Sequence, residues 1–174
     1  KLVGETTDPF RSGGSAAHQI GSVNQHLGTG DWGINREVYD YRDTYPPEFA
    51  ITGQLAESWE TPDPLTYIFH IRQGVYWHNK APMNGRELTA DDVEYNFHRI
   101  LGLGDFTDAG PTPFGGAGGL TGIPFESITA TDKWTVVMKL KEPYLPALRL
   151  ILIDYFVYIL PPEVIEESRT AEVP

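Results

Sequence analysis

The chain contains no cysteine, so disulfides, thiolate catalysis and cysteine-type zinc sites are excluded, while the redox compartment stays open. Basic residues are scarce: 13 Lys and Arg stand against 24 Asp and Glu, giving a net charge of −11, and they form no run. Binding to nucleic acid or to an anionic membrane surface relies on clustered cations, so neither is the expected partner. Long apolar runs are missing as well. The longest apolar stretch, "ALRLILIDYFVYIL" from residue 147, is interrupted by Arg149 and Asp154 and falls short of the roughly 20 residues that a membrane span requires. It reads as a buried helix running into a buried strand. Neither GxGxxG nor GxxxxGK[ST] can be threaded through the Gly-rich residues 102–123, so no phosphate-cradling loop is expected there. No signal segment precedes Lys1, which for an exported protein implies a mature or shortened chain.

The remaining sequence specifies a folded core. The chain has 174 residues, 40% hydrophobic and 12% aromatic, enough for one domain. "KLVGE" reads as a short strand and "TTDPFRSGGS" as a loop. Ile20, Val23 and Leu27 recur at helical spacing in "AAHQIGSVNQHLG", with Gly28 as its stop. "LAESWE" and "TYIFHIR" flank "TPDPL", a turn sequence, and predict a hairpin. In its second arm Tyr67, Phe69 and Ile71 face the core, whereas Ile68, His70 and Arg72 face away. In "VYWHN", Val75 and Trp77 alternate with Tyr76 and His78.

"TADDVEYNFHRILG" carries most of the marks of a helix: Thr89 as N-cap, Asp91 and Asp92 in the first turn, and Leu88 placed to staple Val93. Phe97, Ile100 and Leu101 continue the apolar stripe, and Gly102 is the stop. Residues 102–123 form a long Gly/Pro-rich loop. "FESITATDKWTVVMKLKEP" predicts a second hairpin around "TDK", with Trp134, Val136, Met138 and Leu140 on one face. Leu145, Leu148 and Leu152 then mark a buried helix, "YFVYIL" a strand, and "PPEVIEE" the first turn of another helix.

Two chemistries and one binding role compete on these residues. His78, Asp91 and His98, with His70 and Asp92 nearby, offer ligands for a metal-dependent hydrolase, yet none of the histidines stands at HxxxH or HxH spacing. Ser15 in "GGSAA" is one residue short of a nucleophile elbow and follows no clear strand. A third reading is a small interaction module whose exposed hairpin edges pair with a partner strand.

Taken in order, "LAESW", an aspartate-bearing turn, Thr-aromatic-x-Phe-x-Ile-Arg, Gly-Val-x-Trp-His and "LTADDVEYNF" resemble the family 5 extracellular solute-binding proteins, the peptide and nickel receptors of ABC importers. "ESITATDKWTVVMKLKEPYLPALRLI" and "LPPEVIEE" extend the likeness, which covers about residues 53 to 168. The resemblance implies an α/β (α+β) fold, a mixed sheet with β-hairpins and flanking helices. It places residues 1–174 as a single partial domain, the N-terminal part of lobe I of a two-lobed binding protein. The second lobe and the C-terminal part of lobe I would then lie outside the chain, which leaves an apolar patch on the "YFVYIL" strand. The implied function is capture of a small peptide or similar solute and its delivery to a membrane permease, in the periplasm or outside the cell, with lipoprotein tethering as one form. No enzymatic activity and no cofactor are implied. Trp59, Phe69, Ile71 and Trp77 become framework, and Arg72 and His78 ties between loops and sheet. For solute contact the nominated residues are Thr6, Thr7 and Asp8 after the first strand, and Trp32 in the Gly-rich loop.

Overall fold

The computed structural model describes residues 24–42, 46–112, 119–154 and 157–170. The expected strand at residues 1–5, the loop bearing Thr6, Thr7 and Asp8, and most of the helix expected over 16–28 lie outside these ranges.

Two antiparallel sheets organise the described residues. The smaller pairs β1 (Gly28–Gly30) with β2 (Ile51–Gly53). The larger has four strands in the order β3-β4-β6-β5, from β3 (Ala56–Asp63), β4 (Thr66–Ile71), β5 (Phe125–Asp132) and β6 (Thr135–Leu140). Each hairpin forms where turn residues separate two alternating runs, and the two hairpins join through β4 and β6, with Phe69 opposite Val136. Alternation sets the inner face: Tyr67, Phe69, Ile71, Val136, Met138 and Leu140 are all buried. His70 lies on the other face, where its ring nitrogen meets Glu60 at 2.8 Å. Trp59 and Trp77 pack on the core while remaining partly exposed.

Helix α1 (Ala90–Leu101) covers this inner face with Val93, Phe97 and Ile100. Its start follows from the sequence: Thr89 is extended (φ −132°, ψ 174°) and its N–H donates to Asp92 Oδ2 at 3.0 Å. Its end follows too, since Gly102 adopts the left-handed conformation (φ 66°) and a Cβ there would lie 2.4 Å from the Gly110 carbonyl carbon. The helix also closes the sheet's outer strand. The Ala130 N–H donates to Glu94 Oε2 at 2.6 Å, and His98 Nε2 donates to the Ile128 carbonyl at 3.0 Å. One hairpin edge is therefore engaged by α1, and the other edge strand carries Glu57, Glu60 and Pro62, which blunt strand addition.

Helices α2 (Ala147–Ile153) and α3 (Pro162–Thr170) complete the described structure. Pro162 opens α3, where its missing N–H costs nothing. In the 102–123 loop, short helical turns at Gly104–Phe106 and Leu120–Gly122 bury Phe106 and Leu120.

Three expectations need correction. Residues 24–28, the described part of the helix expected over 16–28, are not helical: Gln25 bridges to Ile159 and Gly28 pairs with Gly53, an arrangement that Gly28 permits because it lies tight against Leu152. Leu145 is 94% exposed, because α2 begins only at Ala147 and buries Ala147, Ile151 and Leu152 instead. The described part of "YFVYIL" makes a single bridge at Ile159 and no ladder, and Val157, Tyr158 and Ile159 are buried, so the apolar patch expected there is absent at those residues.

Candidate functional site

Three features stand out: a polar clamp, an apolar cleft beside it, and an aromatic surface. The clamp centres on Asp92, which is nearly fully buried. Because α1 starts at Ala90, Asp92 occupies its third position and turns back over the helix start, where it meets the loop that precedes the helix. It accepts from Arg86 Nη1 at 2.8 Å and Nη2 at 2.7 Å, from Trp77 Nε1 at 3.2 Å and from the Thr89 N–H. Arg86 Nη2 also donates to Glu163 Oε2 at 2.8 Å, and its Nε pairs with Glu163 Oε1. The hydrogen bonds to Glu163 and Asp92 push the Arg86 guanidinium well above its ordinary range, and Arg86 holds the Glu163 carboxyl below the usual carboxylate range. A second tie joins the Tyr95 hydroxyl to Glu166. Asn96 adds a third, donating to the Leu160 carbonyl at 2.8 Å and accepting its N–H at 3.1 Å. The clamp thus fixes α3 to α1 and to the 80–88 loop.

Beside the clamp lies an apolar cleft of about 230 Å³, bounded by Gln25, Leu55, Val75, Trp77, Met83 and Ile159. His26 sits close by: its Nδ1 lies 2.9 Å from the Val157 carbonyl and its ring 4.4 Å from that of Tyr158. The carbonyl can only accept, so Nδ1 carries a proton, and burial holds the imidazole pKa below 6.5 against that hydrogen bond.

The aromatic surface is built on the loop between β1 and β2. Trp32 stacks on Tyr41 with centroids 4.6 Å apart and planes 25° from parallel, and the Arg36 guanidinium lies 5.0 Å from the Tyr41 centroid. Tyr39 meets Tyr41 edge-on at 4.7 Å, and Phe49 meets Tyr39 at 6.1 Å. Tyr41 is fixed by its hydroxyl, which donates to the Asp31 carbonyl, and it passes over Gly30, where a Cβ would lie 2.9 Å from the ring. Partial burial, and then the Asp31 charge, push the Tyr41 phenol up.

The nominated residues fare differently. Trp32 is on the surface just described, 66% exposed. Thr6, Thr7 and Asp8 lie outside the described residues. The hydrolase trio is not brought together: His98 is spent on the Ile128 carbonyl, Asp91 is exposed in the first turn of α1, and the His78 side chain is exposed on a loop. Among the described residues no three His, Asp or Glu side chains are grouped to hold a metal ion. Arg72 does tie loop to sheet, its Nε donating to the Gln54 carbonyl at 2.9 Å, whereas His78 acts through its backbone carbonyl, which accepts from Lys80 at 2.7 Å and Gly85 at 3.2 Å. Sequence reasoning missed the Arg86–Glu163 pairing, because 77 residues separate the partners and no spacing links them. It also missed Tyr41, whose alternation with Tyr39 in "VYDYR" was the available signal.

This architecture is matched by known proteins. The family model described as "Bacterial extracellular solute-binding proteins, family 5 Middle" matches residues 50–170, and the chain belongs to that family. A dipeptide-binding protein of Escherichia coli is 55% identical over 47 residues, 26% of this chain and 9% of that protein. Di/tripeptide-binding protein 2 of Pseudomonas aeruginosa is 36% identical over 109 residues, 59% of this chain and 20% of that protein. Among solved structures, the ABC transporter-associated periplasmic binding protein DppA of Helicobacter pylori, in complex with the peptide STSA, superposes with a TM-score of 0.70 at 26% identity. That match covers 95% of this chain and 30% of the other. The chain therefore spans about a third of the length of the solved relative it matches.

Proposed function

We propose that this chain forms part of the substrate-binding component of an ABC importer, which captures oligopeptides or similar small solutes outside the cytoplasmic membrane and hands them to the permease. The observation that carries this reading is the family match over residues 50–170, where both hairpins and the clamped α1–α3 unit lie. Relatives named for dipeptides and di/tripeptides support a peptide as the solute. A receptor of this kind holds a solute between lobes that close by hinge motion, so a rigid lobe is what the role needs. The clamp supplies that rigidity, tying α3 to the sheet unit by paired charges and hydrogen bonds. The role consists of binding and release, with no bond made or broken. The location is periplasmic or extracellular, with lipid tethering to the membrane as one form. Trp32 and the 6–8 loop are the proposed solute contacts on this lobe.

The test is a titration of the whole protein with di- to pentapeptides, followed by tryptophan fluorescence. Saturable change with at least one peptide length is expected. Silence to all of them, alongside a response to a chelated metal or a sugar, would overturn the peptide assignment.

A further inference from the structure

The walls of the apolar cleft are fixed from outside it. On one side Trp77 gives its Nε1–H to Asp92 Oδ2 at 3.2 Å and its backbone N–H to the Arg86 carbonyl at 3.0 Å. On the same loop the Met83 carbonyl accepts from the Arg86 N–H at 3.1 Å, and the Arg86 guanidinium is held between Asp92 and Glu163. On the other side the Ile159 N–H donates to the Gln25 carbonyl at 3.1 Å, and Leu160 is bonded twice to Asn96. The opening is therefore set by the same clamp that fixes α3. A site shaped in advance loses little freedom when a ligand enters it.

Size and lining select what enters. The cleft measures about 230 Å³, and an apolar cavity of roughly 150 Å³ is enough to take a benzene ring. It has room for one Leu, Met or Phe side chain. Among the described residues that line it, none is Asp, Glu, Lys or Arg. A charged group entering here would give up its water without gaining a counter-charge, whereas an apolar group gains by its burial against Leu55, Leu88 and Ile159. Exposed Gln25 and Tyr76 belong to the same lining, so an amide and a hydroxyl accompany the apolar interior.

The geometry points to this cleft as a subsite for one uncharged apolar side chain of the captured solute, so that the receptor favours peptides carrying a leucine- or phenylalanine-like residue at one position. The inference rests on the peptide-capture reading and adds to it the class and size of one preferred side chain.

The test uses the whole protein and tripeptides of Ala in which one position at a time is Leu, Phe, Lys or Glu, with affinities measured by calorimetry. At one position Leu or Phe is expected to bind about tenfold tighter than Ala, with Lys and Glu no better than Ala. Met83→Trp, which fills the cleft, should bring the Leu-to-Ala ratio close to one, and Met83→Ala, which widens it, should raise the Phe-to-Leu ratio; circular dichroism confirms that both variants fold. The chain has no cysteine, so Met83→Cys gives it a single thiol. A maleimide should label position 83, located by peptide mapping, and the Leu tripeptide should slow that labelling more than the all-Ala one at equal saturation. A ratio near one at every position of the unmodified protein, a ratio that survives Met83→Trp, or a thiol shielded by the receptor itself before any peptide is added would overturn the subsite while leaving peptide capture intact. Failure of every tripeptide to bind would instead remove the capture reading and the subsite together.

Discussion

Asp92 illustrates how far a single residue can be read in advance. Its place three residues after Thr89 announces a helix cap, and the structure confirms that role. The sequence holds no sign that the same carboxylate also takes two bonds from Arg86 and one from Trp77, because those partners are set by how the preceding loop folds back. A buried carboxylate with four donors is costly to delete, since its removal takes two bonds from the Arg86 guanidinium and leaves the Trp77 indole N–H and the Thr89 N–H without this acceptor. Asp92→Ala should lower unfolding stability by about 3 kcal/mol, measured by urea denaturation; a loss under about 1 kcal/mol would show that the clamp contributes little. His26 sets a pH dependence. Its folded pKa is depressed by burial, so the unfolded chain binds the proton more tightly, and stability is fully present above pH 6.5 and falls as pH drops below it. Glu163, depressed by Arg86, acts in the same direction but lower, its contribution being lost only as pH falls below 4.5. Urea midpoints should therefore decline between pH 7 and 5, and His26→Gln should flatten that interval without altering the acid limb. An unchanged slope in His26→Gln would assign the upper transition to another group.

At the scale of elements, legibility tracks local signal. Both hairpins and α1 were readable because alternation, turn residues, cap and stop all agree within a few neighbouring residues. Residues 24–28 carry a misleading local signal, because Leu27 continues a helical spacing while the pairing of Gly28 with Gly53 is decided by a segment 25 residues away. Leu145 failed for a related reason: Pro146 delays the start of α2, so the leucine falls outside the helix and into solvent. Gly102 tests the element that was read best. Its left-handed φ and the backbone of Gly110 leave no room for a methyl group, so Gly102→Ala should cost about 2 kcal/mol or more. If thermal unfolding of that variant matched the unmodified protein, the tight closure of α1 onto the 102–111 turn would be wrong.

For the molecule as a whole, fold family was legible and binding surface was not. The ordered motifs from "LAESW" to "LTADDVEYNF" are framework: they place Phe69, Ile71 and Trp77 in or against the core and Thr89 at a helix start. Such residues identify an architecture because packing constrains them, and for the same reason they say little about a solute. Surface stacking such as Trp32 on Tyr41 depends on loop geometry, which no periodicity encodes. The central proposal, that this chain belongs to a receptor for peptides, is tested most directly by calorimetric titration of the whole protein with di-, tri- and pentapeptides. The account predicts saturable binding of one peptide per chain with a negative heat-capacity change, as expected when a solute is enclosed between closing lobes. Absence of heat and of any thermal stabilisation with all three lengths, from a protein shown to be folded, would contradict it.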